Sequence, residues 1–379
     1  MEKAKKTKGI NRAQFLAGAA ALGVAATVLP ARPAAATGRT RGLTHRGVVY
    51  TVGEGETPGT AWSATRMRRD IRAVRDDLHA DTVDVTGDGV ERLTATAAEA
   101  AERGLHVWLQ PTLADAPQRD TLEHLAECGR FAERLRRQGA SVDFSVGCEF
   151  WLLVPGIVPG ATVLDRVRNM LNGTFDPVKM QRNLDRFTAK AAAVGRSVFH
   201  GNLSYAAAQD DRVDWRLFDI VGIDYYSYFH HHTDYVRELR RYLRWGKPLA
   251  ITEFGTCTYK GAPEAGGMGW DVVDYDKDPQ EIKGHLVRSE RTQAAYLVDQ
   301  LSVFESMDLY AAMAFEFVTP DAPHRTDNPR YDLDMASYSI TRTIKDRPDD
   351  PRSGWHWEPK EAFHALARQY DRACARQAQ

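Results

Sequence analysis

The sequence lacks several residue motifs that identify common classes of protein, among them metal-binding and phosphate-binding motifs. It contains four cysteines among 379 residues, and no two of them form a CxxC pair. Their spacing therefore indicates neither a zinc site nor a disulfide scaffold, although one bridge is compatible with it. No HExxH pattern is present. The glycine-rich turn Gly53–Gly59 (GEGETPG) carries two glutamates and a proline, which are poor partners for a pyrophosphate.

Long apolar runs are also scarce. The run Phe15–Leu29 follows five basic residues and precedes three small ones, and it is too short to span a bilayer comfortably. This arrangement predicts an export signal over residues 1–36, a linker over residues 37–44 and a mature domain over residues 45–379. An N-terminal anchor is the alternative.

The predicted signal resembles a twin-arginine export box at Asn11–Leu16 (NRAQFL), with Ala13 in place of the second arginine. Removing the signal leaves 44 basic and 50 acidic residues, a net charge of −6. A mildly acidic surface argues against a nucleic-acid partner. We expect a secreted or cell-envelope protein with no stable membrane insertion after signal cleavage.

Short β-rich runs alternate with helical patterns along the mature chain. Eight such runs are Gly47–Val52, Thr82–Thr86, Leu105–Gln110, Val142–Cys148, Ser197–Asn202, Asp219–Asp224, Pro248–Thr252 and Tyr310–Phe317. Glycines such as Gly104 and Gly195 follow helical runs, where a helix commonly ends. The alternation predicts the α/β class and a single-domain (β/α)8 TIM barrel with long βα loops, with a doubly wound sheet as the alternative.

Acidic side chains are concentrated where these runs end. Glu149 follows the fourth run, Asp224 ends the sixth, Glu253 follows the seventh, and Glu316 lies inside the eighth. In a barrel the carboxyl ends of the strands carry the functional groups. Glutamates on the fourth and seventh strands can therefore act together on one bond, as glycoside cleavage requires. The alternative for either glutamate alone is a solvated residue on the rim.

Three segments resemble the retaining glycoside hydrolases that are built on (β/α)8 barrels. Val146–Phe150 (VGCEF) looks like the acid/base strand of that clan, and Ile251–Gly255 (ITEFG) looks like its nucleophile strand. Gly222–Tyr226 (GIDYY) is similar to its sixth strand, whose tyrosine binds the nucleophile. The SxGxE form of Ser145–Glu149 is most similar to the mannanase-type families.

The resemblance implies a role for each matching residue. Glu149 would be the general acid/base and Glu253 the nucleophile, with their carboxyl groups about 5–5.5 Å apart. An apolar wall that includes Trp151 would raise the pKa of Glu149. Tyr225 would donate a hydrogen bond to Glu253, with Tyr226 as the alternative because adjacent strand residues face opposite ways.

The sequence departs from the clan on three strands, the fourth, the second and the eighth. Cys148 stands where many members have an asparagine that binds the sugar 2-hydroxyl. The second run, Thr82–Thr86, has no counterpart of a common arginine, and Glu316 with two phenylalanines replaces a tryptophan on the eighth. These differences bear on the substrate more than on the type of reaction.

Several other residues are candidate site residues. His200 and Asn202 are predicted near the end of the fifth strand, facing the mouth or the core. Trp270, like Trp151, is a candidate to stack on a sugar face, with rim packing as the alternative. The long loop Gly255–Asp278 predicts a substrate-binding or lid element, or else a disordered insert.

The sequence thus predicts an exported retaining O-glycoside hydrolase that acts on an oligosaccharide or polysaccharide and uses neither a metal nor an organic cofactor. One alternative is a catalytically silent barrel that binds carbohydrate or a protein, resembling exported bacterial proteins that are labelled abortive-infection proteins. A third hypothesis is a metal-dependent barrel hydrolase that uses Asp84, His200 and Asp224.

Overall fold

The computed structural model describes residues 42–53, 62–350 and 352–377. The predicted export signal, residues 1–36, and most of the predicted linker, residues 37–44, lie outside the described residues. Within the described part of the chain, every helix is too short or too polar to cross a membrane.

The described strands form one closed parallel barrel and two small antiparallel pairs. In chain order they are β1 His45–Val52, β2 Thr82–Gly87, β3 His106–Pro111, β4 Val142–Cys148, β5 Leu203–Ala208, β6 Val221–Asp224, β7 Leu249–Phe254, β8 Val273–Asp274, β9 Glu281–Ile282, β10 Ala311–Ala314, β11 Thr341–Lys345 and β12 Trp355–Pro359. The first seven and β10 make the barrel, which closes between β1 and β10. The predicted (β/α)8 fold is therefore confirmed.

Helices connect the barrel strands and surround them. In chain order they are α1 Ala64–Asp76, α2 Val90–Glu102, α3 Gln118–Arg137, α4 Phe150–Leu153, α5 Val163–Leu171, α6 Pro177–Val198, α7 His232–Leu243, α8 Ala262–Ala265, α9 Glu290–Ser306 and α10 Glu361–Gln377. Helix α6 shows a typical start, since the Asp176 side chain accepts the N–H groups of Val178 and Lys179. These bonds satisfy backbone donors that have no partner within the helix.

The fifth strand lies six residues later than predicted. Helix α6 continues through the predicted strand start to Val198, and β5 begins at Leu203. Gly195 does not end the helix, because it packs there against β4: a Cβ on it would lie 2.9 Å from Val146 Cγ1. The alanine-rich β5 (LSYAAA) carries a weak strand signal of its own.

The amino-terminal half of the barrel interior is filled. Val49, Trp108, Ala250 and Met313 pack together there with none of their surface exposed. The carboxyl ends of the strands, in contrast, carry partly exposed polar side chains. The fold therefore directs attention to that end, as in other barrels.

Candidate active site

Glu149 lies where β4 turns into helix α4. Its backbone is left-handed, with φ 31° and ψ 60°, and its N–H donates to the carbonyl oxygen of Ala206 at 2.8 Å. Gly147 has φ +142°, and a Cβ on it would lie 2.5 Å from the ring of Phe150. A glycine is needed at this bend, which brings the partly exposed Glu149 to the mouth of the barrel.

Glu253, near the end of β7, is held by two side-chain donors. The Tyr226 hydroxyl donates to Glu253 Oε2 at 2.6 Å, and the Cys148 thiol points to Oε1 at 3.7 Å. Burial raises the pKa of Glu253 to about 8, with repulsion from Glu149 as the next cause, while both donors oppose the rise. The structure therefore brings the two predicted glutamates into one interacting pair.

Strand irregularities account for how these side chains converge. The pairing of β6 with β7 shifts register between Ile223 and Asp224, so that Asp224 pairs with Glu253. Neighbouring residues of β7 then both reach the site, since Thr252 Oγ1 donates to Asp224 Oδ1 at 2.7 Å. A regular strand would place Thr252 and Glu253 on opposite faces.

The two adjacent tyrosines have different partners. Tyr226 binds Glu253, whereas the Tyr225 hydroxyl donates to Glu238 Oε2 at 2.7 Å. The Tyr225 ring is buried and faces Phe304 of helix α9. The prediction that Tyr225 donates a hydrogen bond to Glu253 was therefore wrong, and the alternative, Tyr226, makes this bond.

Cys148 connects the pair to a third carboxyl group. Its thiol donates to Asp224 Oδ2 at 3.4 Å. The pKa of Asp224 is raised well above its ordinary value by burial and then by repulsion from Glu253 and Glu149. Burial, followed by repulsion from Asp224, Glu253 and Glu149, raises the pKa of Cys148, so the residue stays a thiol and acts as a donor.

Glu316 follows β10 at the same end of the barrel. Its Oε2 accepts from Thr51 Oγ1 at 2.5 Å, and its Oε1 accepts from Thr319 Oγ1 at 2.8 Å. Burial raises the pKa of Glu316 to about 7. The side-chain donors to Asp224, Glu253 and Glu316 within the described residues are hydroxyl and thiol groups, with no lysine or arginine.

Asp84, in β2, is a further acid in the barrel interior. Its side chain is fully buried, and neither carboxyl oxygen has a hydrogen-bond partner among the described residues. Burial and then repulsion from Glu253 raise its pKa well above the ordinary value. Val83 and Val85 on either side of Asp84 pack in the core outside the barrel. Because strand residues alternate between faces, this pattern was the sequence signal that Asp84 faces inward.

His200 and Asn202 do not lie at the mouth, and their prediction as site residues was wrong. Both precede β5 and lie at the amino-terminal end of the barrel, because the strand starts later than predicted. Asn202 Nδ2 donates to Asp143 Oδ1 at 2.9 Å, and His200 Nδ1 lies 3.4 Å from Glu133 Oε1. The set Asp84, His200 and Asp224 is therefore not assembled.

The two tryptophan candidates differ in exposure. Trp151 is 7% exposed and packs in the main core, so little of its ring is left for a sugar. Trp270 is half-buried in the loop after β7, with its ring centroid 5.9 Å from that of Tyr275. Of the two, Trp270 keeps a partly open ring at this end of the barrel.

The loop after β7 is ordered and contacts the site. The Tyr338 hydroxyl accepts the N–H of Gly269 at 3.0 Å and donates to the carbonyl oxygen of Gly266 at 2.7 Å. Its ring also meets the Tyr226 ring edge-on, at 5.4 Å between centroids. One side of the site is thus formed by this loop.

The molecule belongs to the class of closed (β/α)8 barrels, with a cluster of acids at the carboxyl ends of the strands. Similar solved structures include a GH113 β-1,4-mannanase, with a TM-score of 0.54 and 13% identity over 87% of this chain and 99% of that one. The GH113 β-mannanase AaManA from Alicyclobacillus acidocaldarius has a TM-score of 0.50 and 15% identity over 87% and 97%. Bacteroides uniformis β-glucuronidase 2 has a TM-score of 0.53 and 14% identity over 86% of this chain and 35% of its own.

These likenesses establish the fold. The sequence matches no family model and no curated protein.

Proposed function

We propose that this protein is a retaining O-glycoside hydrolase that acts on an oligosaccharide or polysaccharide. The observation that carries the proposal is the pair Glu149 and Glu253 on β4 and β7, with Tyr226 donating to Glu253 at 2.6 Å. Two interacting carboxyl groups of this kind are the requirement of retaining glycoside cleavage. The mannanase and glucuronidase structures that share the fold support the same type of reaction.

The first step forms a covalent bond between the sugar and Glu253. Glu149 gives its proton to the glycosidic oxygen while a Glu253 oxygen attacks the anomeric carbon, and the bond to the leaving group breaks. Tyr226 and Cys148 both donate toward Glu253, which favours its ionised form. The reactive form has Glu253 ionised and the proton on Glu149, and because the pKa of Glu253 is raised to about 8, this form is the minority below that pH.

The second step releases the sugar with its original anomeric configuration. Glu149, now ionised, takes a proton from water, and the resulting oxygen nucleophile attacks the anomeric carbon and frees Glu253. Both transition states carry positive charge on the sugar ring. The carboxylate of Glu253 supplies the opposing negative charge, since burial raises the pKa of both Asp224 and Glu316 and disfavours their ionised forms.

Azide rescue tests both assignments. We expect Glu253→Ala and Glu149→Ala to lower the turnover of aryl glycosides with good leaving groups by about 10²–10⁴-fold. Azide should restore each variant and give opposite configurations of glycosyl azide, inverted for Glu253→Ala and retained for Glu149→Ala. Glu133→Gln, beside His200 and far from the mouth, is the matched control and should keep full activity.

The silent-barrel alternative makes the opposite prediction for the wild type. A barrel that only binds carbohydrate or a protein partner would turn over no glycoside in a panel that covers the common sugars and both anomers. That outcome would overturn the proposed function. The export signal and the mature domain boundary at residue 45 stay predictions from the sequence.

A further inference from the structure

Cys148 lies between two carboxyl groups at distances that suit metal coordination. Its Sγ is 3.4 Å from Asp224 Oδ2 and 3.7 Å from Glu253 Oε1. One oxygen from each acid and the sulfur all lie within 4.8 Å of one another. For tetrahedral zinc with bonds of about 2.3 Å to sulfur and 2.0 Å to oxygen, ligand atoms are about 3.5 Å apart. The two sulfur–oxygen distances therefore match the sulfur–oxygen edges of such a tetrahedron.

Asp84 provides an independent observation that favours a cation in this cluster. Its carboxyl group is fully buried, lacks a hydrogen-bond partner among the described residues and interacts with Glu253 across the barrel. Buried carboxyl groups almost always have partners in proteins. Since hydroxyl and thiol groups are the side-chain donors to Asp224 and Glu253, a bound cation would supply the absent positive charge.

We propose that a thiophilic divalent cation, with Zn²⁺ as the test probe, binds Cys148, Asp224 and Glu253. Asp84 lies outside this set of ligands, and its carboxylate helps to balance the charge of the ion. Thiolate ligands favour zinc over magnesium and calcium, which prefer oxygen. This inference goes beyond the glycosidase proposal, although Glu253 has a role in both proposals. A metal-bound Glu253 cannot attack a sugar, so the cation and the substrate exclude each other.

Binding requires an acid–base change and no redox change. The Cys148 thiol releases its proton to solvent, one zinc–sulfur and two zinc–oxygen bonds form, and any proton on Asp224 or Glu253 is also released.

A second group of potential ligands does not support a site. His324, Asp332 and Asp334 also lie within reach of one ion. Their carboxyl groups are neutralised by cationic side chains, however, with Arg288 3.2 Å from Asp332 and Lys360 2.9 Å from Asp334. This cluster is an ion-pair network rather than an open ligand set.

Cobalt binding tests the proposal without reference to catalysis. The full-length chain is freed of metal with a chelator and then dialysed against Co²⁺ or Zn²⁺. We expect one equivalent of either ion and, with Co²⁺, a thiolate-to-metal charge-transfer band in the near ultraviolet. Cys148→Ser should lose the band, whereas Cys128→Ser, a buried thiol on α3, should keep it. Asp84→Asn should weaken binding by about 10–100-fold.

Two further measurements separate the possible outcomes. Circular dichroism shows that each variant is folded, so that loss of the band reports on ligation. Binding of no Co²⁺ by the wild type, or a band that persists in Cys148→Ser, would overturn the metal site. With an active glycosidase, Zn²⁺ should inhibit competitively, and stimulation by Zn²⁺ would overturn the mutual exclusion. A wild type without glycosidase activity leaves the cobalt result intact and counts against the proposed function alone.

Discussion

Single residues around Glu253 determine which of the two glutamates holds the proton. Tyr226 and Cys148 donate to Glu253, while burial and Glu149 oppose its ionisation. The balance between donors and burial therefore decides both the reactivity and the pH response of the site.

Tyr226→Phe and Tyr225→Phe form a matched pair for kinetics. Loss of the 2.6 Å bond to Glu253 in Tyr226→Phe should lower kcat by about 10–100-fold, since hydrogen bonds to charged groups contribute about 1.5–3 kcal/mol. Tyr225→Phe removes a bond to Glu238 outside the barrel and should leave kcat unchanged. Equal effects of the two variants on kcat would contradict the assignment of Tyr226.

Glu253 should also make stability depend on pH. Its folded-state pKa of about 8 exceeds the ordinary 4.5, so its contribution to the free energy of unfolding is complete below about pH 4.5. The contribution declines as pH rises and is lost above about pH 8, by up to about 1.4 kcal/mol per pH unit. Urea unfolding at several pH values should show a smaller decline for Glu253→Gln. An unchanged decline would show that other groups cause it.

The residues of the site were predictable to different degrees. Glu149 and Glu253 could be found because each directly follows an apolar strand-like run. Tyr226 could not be chosen over Tyr225, because the register shift beside Asp224 changes which residue faces inward. The interaction of Asp84 with Glu253 could not be predicted, since one acid between two valines gives no indication of its neighbours inside the barrel.

The elements that form the mouth are short, irregular segments attached to regular strands. The loop after β7 contains helix α8 and the β8–β9 pair, and Tyr338 fastens it beside Tyr226. The sequence predicted a functional loop there. Its contacts could not be predicted, because Tyr338 is about 70 residues away in the chain.

Tyr338→Phe should loosen this loop. The variant loses two hydrogen bonds to Gly266 and Gly269, each worth about 1 kcal/mol. We expect faster amide exchange over residues 262–270 and a several-fold higher KM with little change in kcat. Tyr275→Phe, a more exposed tyrosine in the same loop, is the control. Identical exchange in both variants would argue against the role of Tyr338.

At the scale of the whole molecule, the two ends of the barrel have different roles. Residues that stabilise the fold lie at the amino-terminal end, and the candidate site residues lie at the carboxyl end. The amino-terminal end holds Asp143, which accepts hydrogen bonds from Asn202 and Tyr310, at 2.9 and 2.6 Å. The carboxyl end holds the acids of the site. The alternation of strands and helices predicted this architecture, and one strand was misplaced because helix α6 runs past Gly195.

Asn202→Ala tests the separation. Removing the donor to the buried Asp143 carboxylate should lower the free energy of unfolding by about 1.5–3 kcal/mol, with kcat/KM unchanged at temperatures where the variant is folded. His200→Ala, whose side chain is largely exposed, should cost less. A lower kcat/KM in folded Asn202→Ala would instead indicate that Asn202 belongs to the active site.

Covalent trapping tests the central claim most directly. A 2-deoxy-2-fluoro glycoside with a good leaving group should inactivate the protein, and peptide mass mapping should find one sugar attached to Glu253. Glu253→Ala should not be labelled. Attachment to Glu149, Glu316 or Asp224, or the absence of any adduct in a protein that hydrolyses the matching aryl glycoside, would contradict the assignment of Glu253 as the nucleophile.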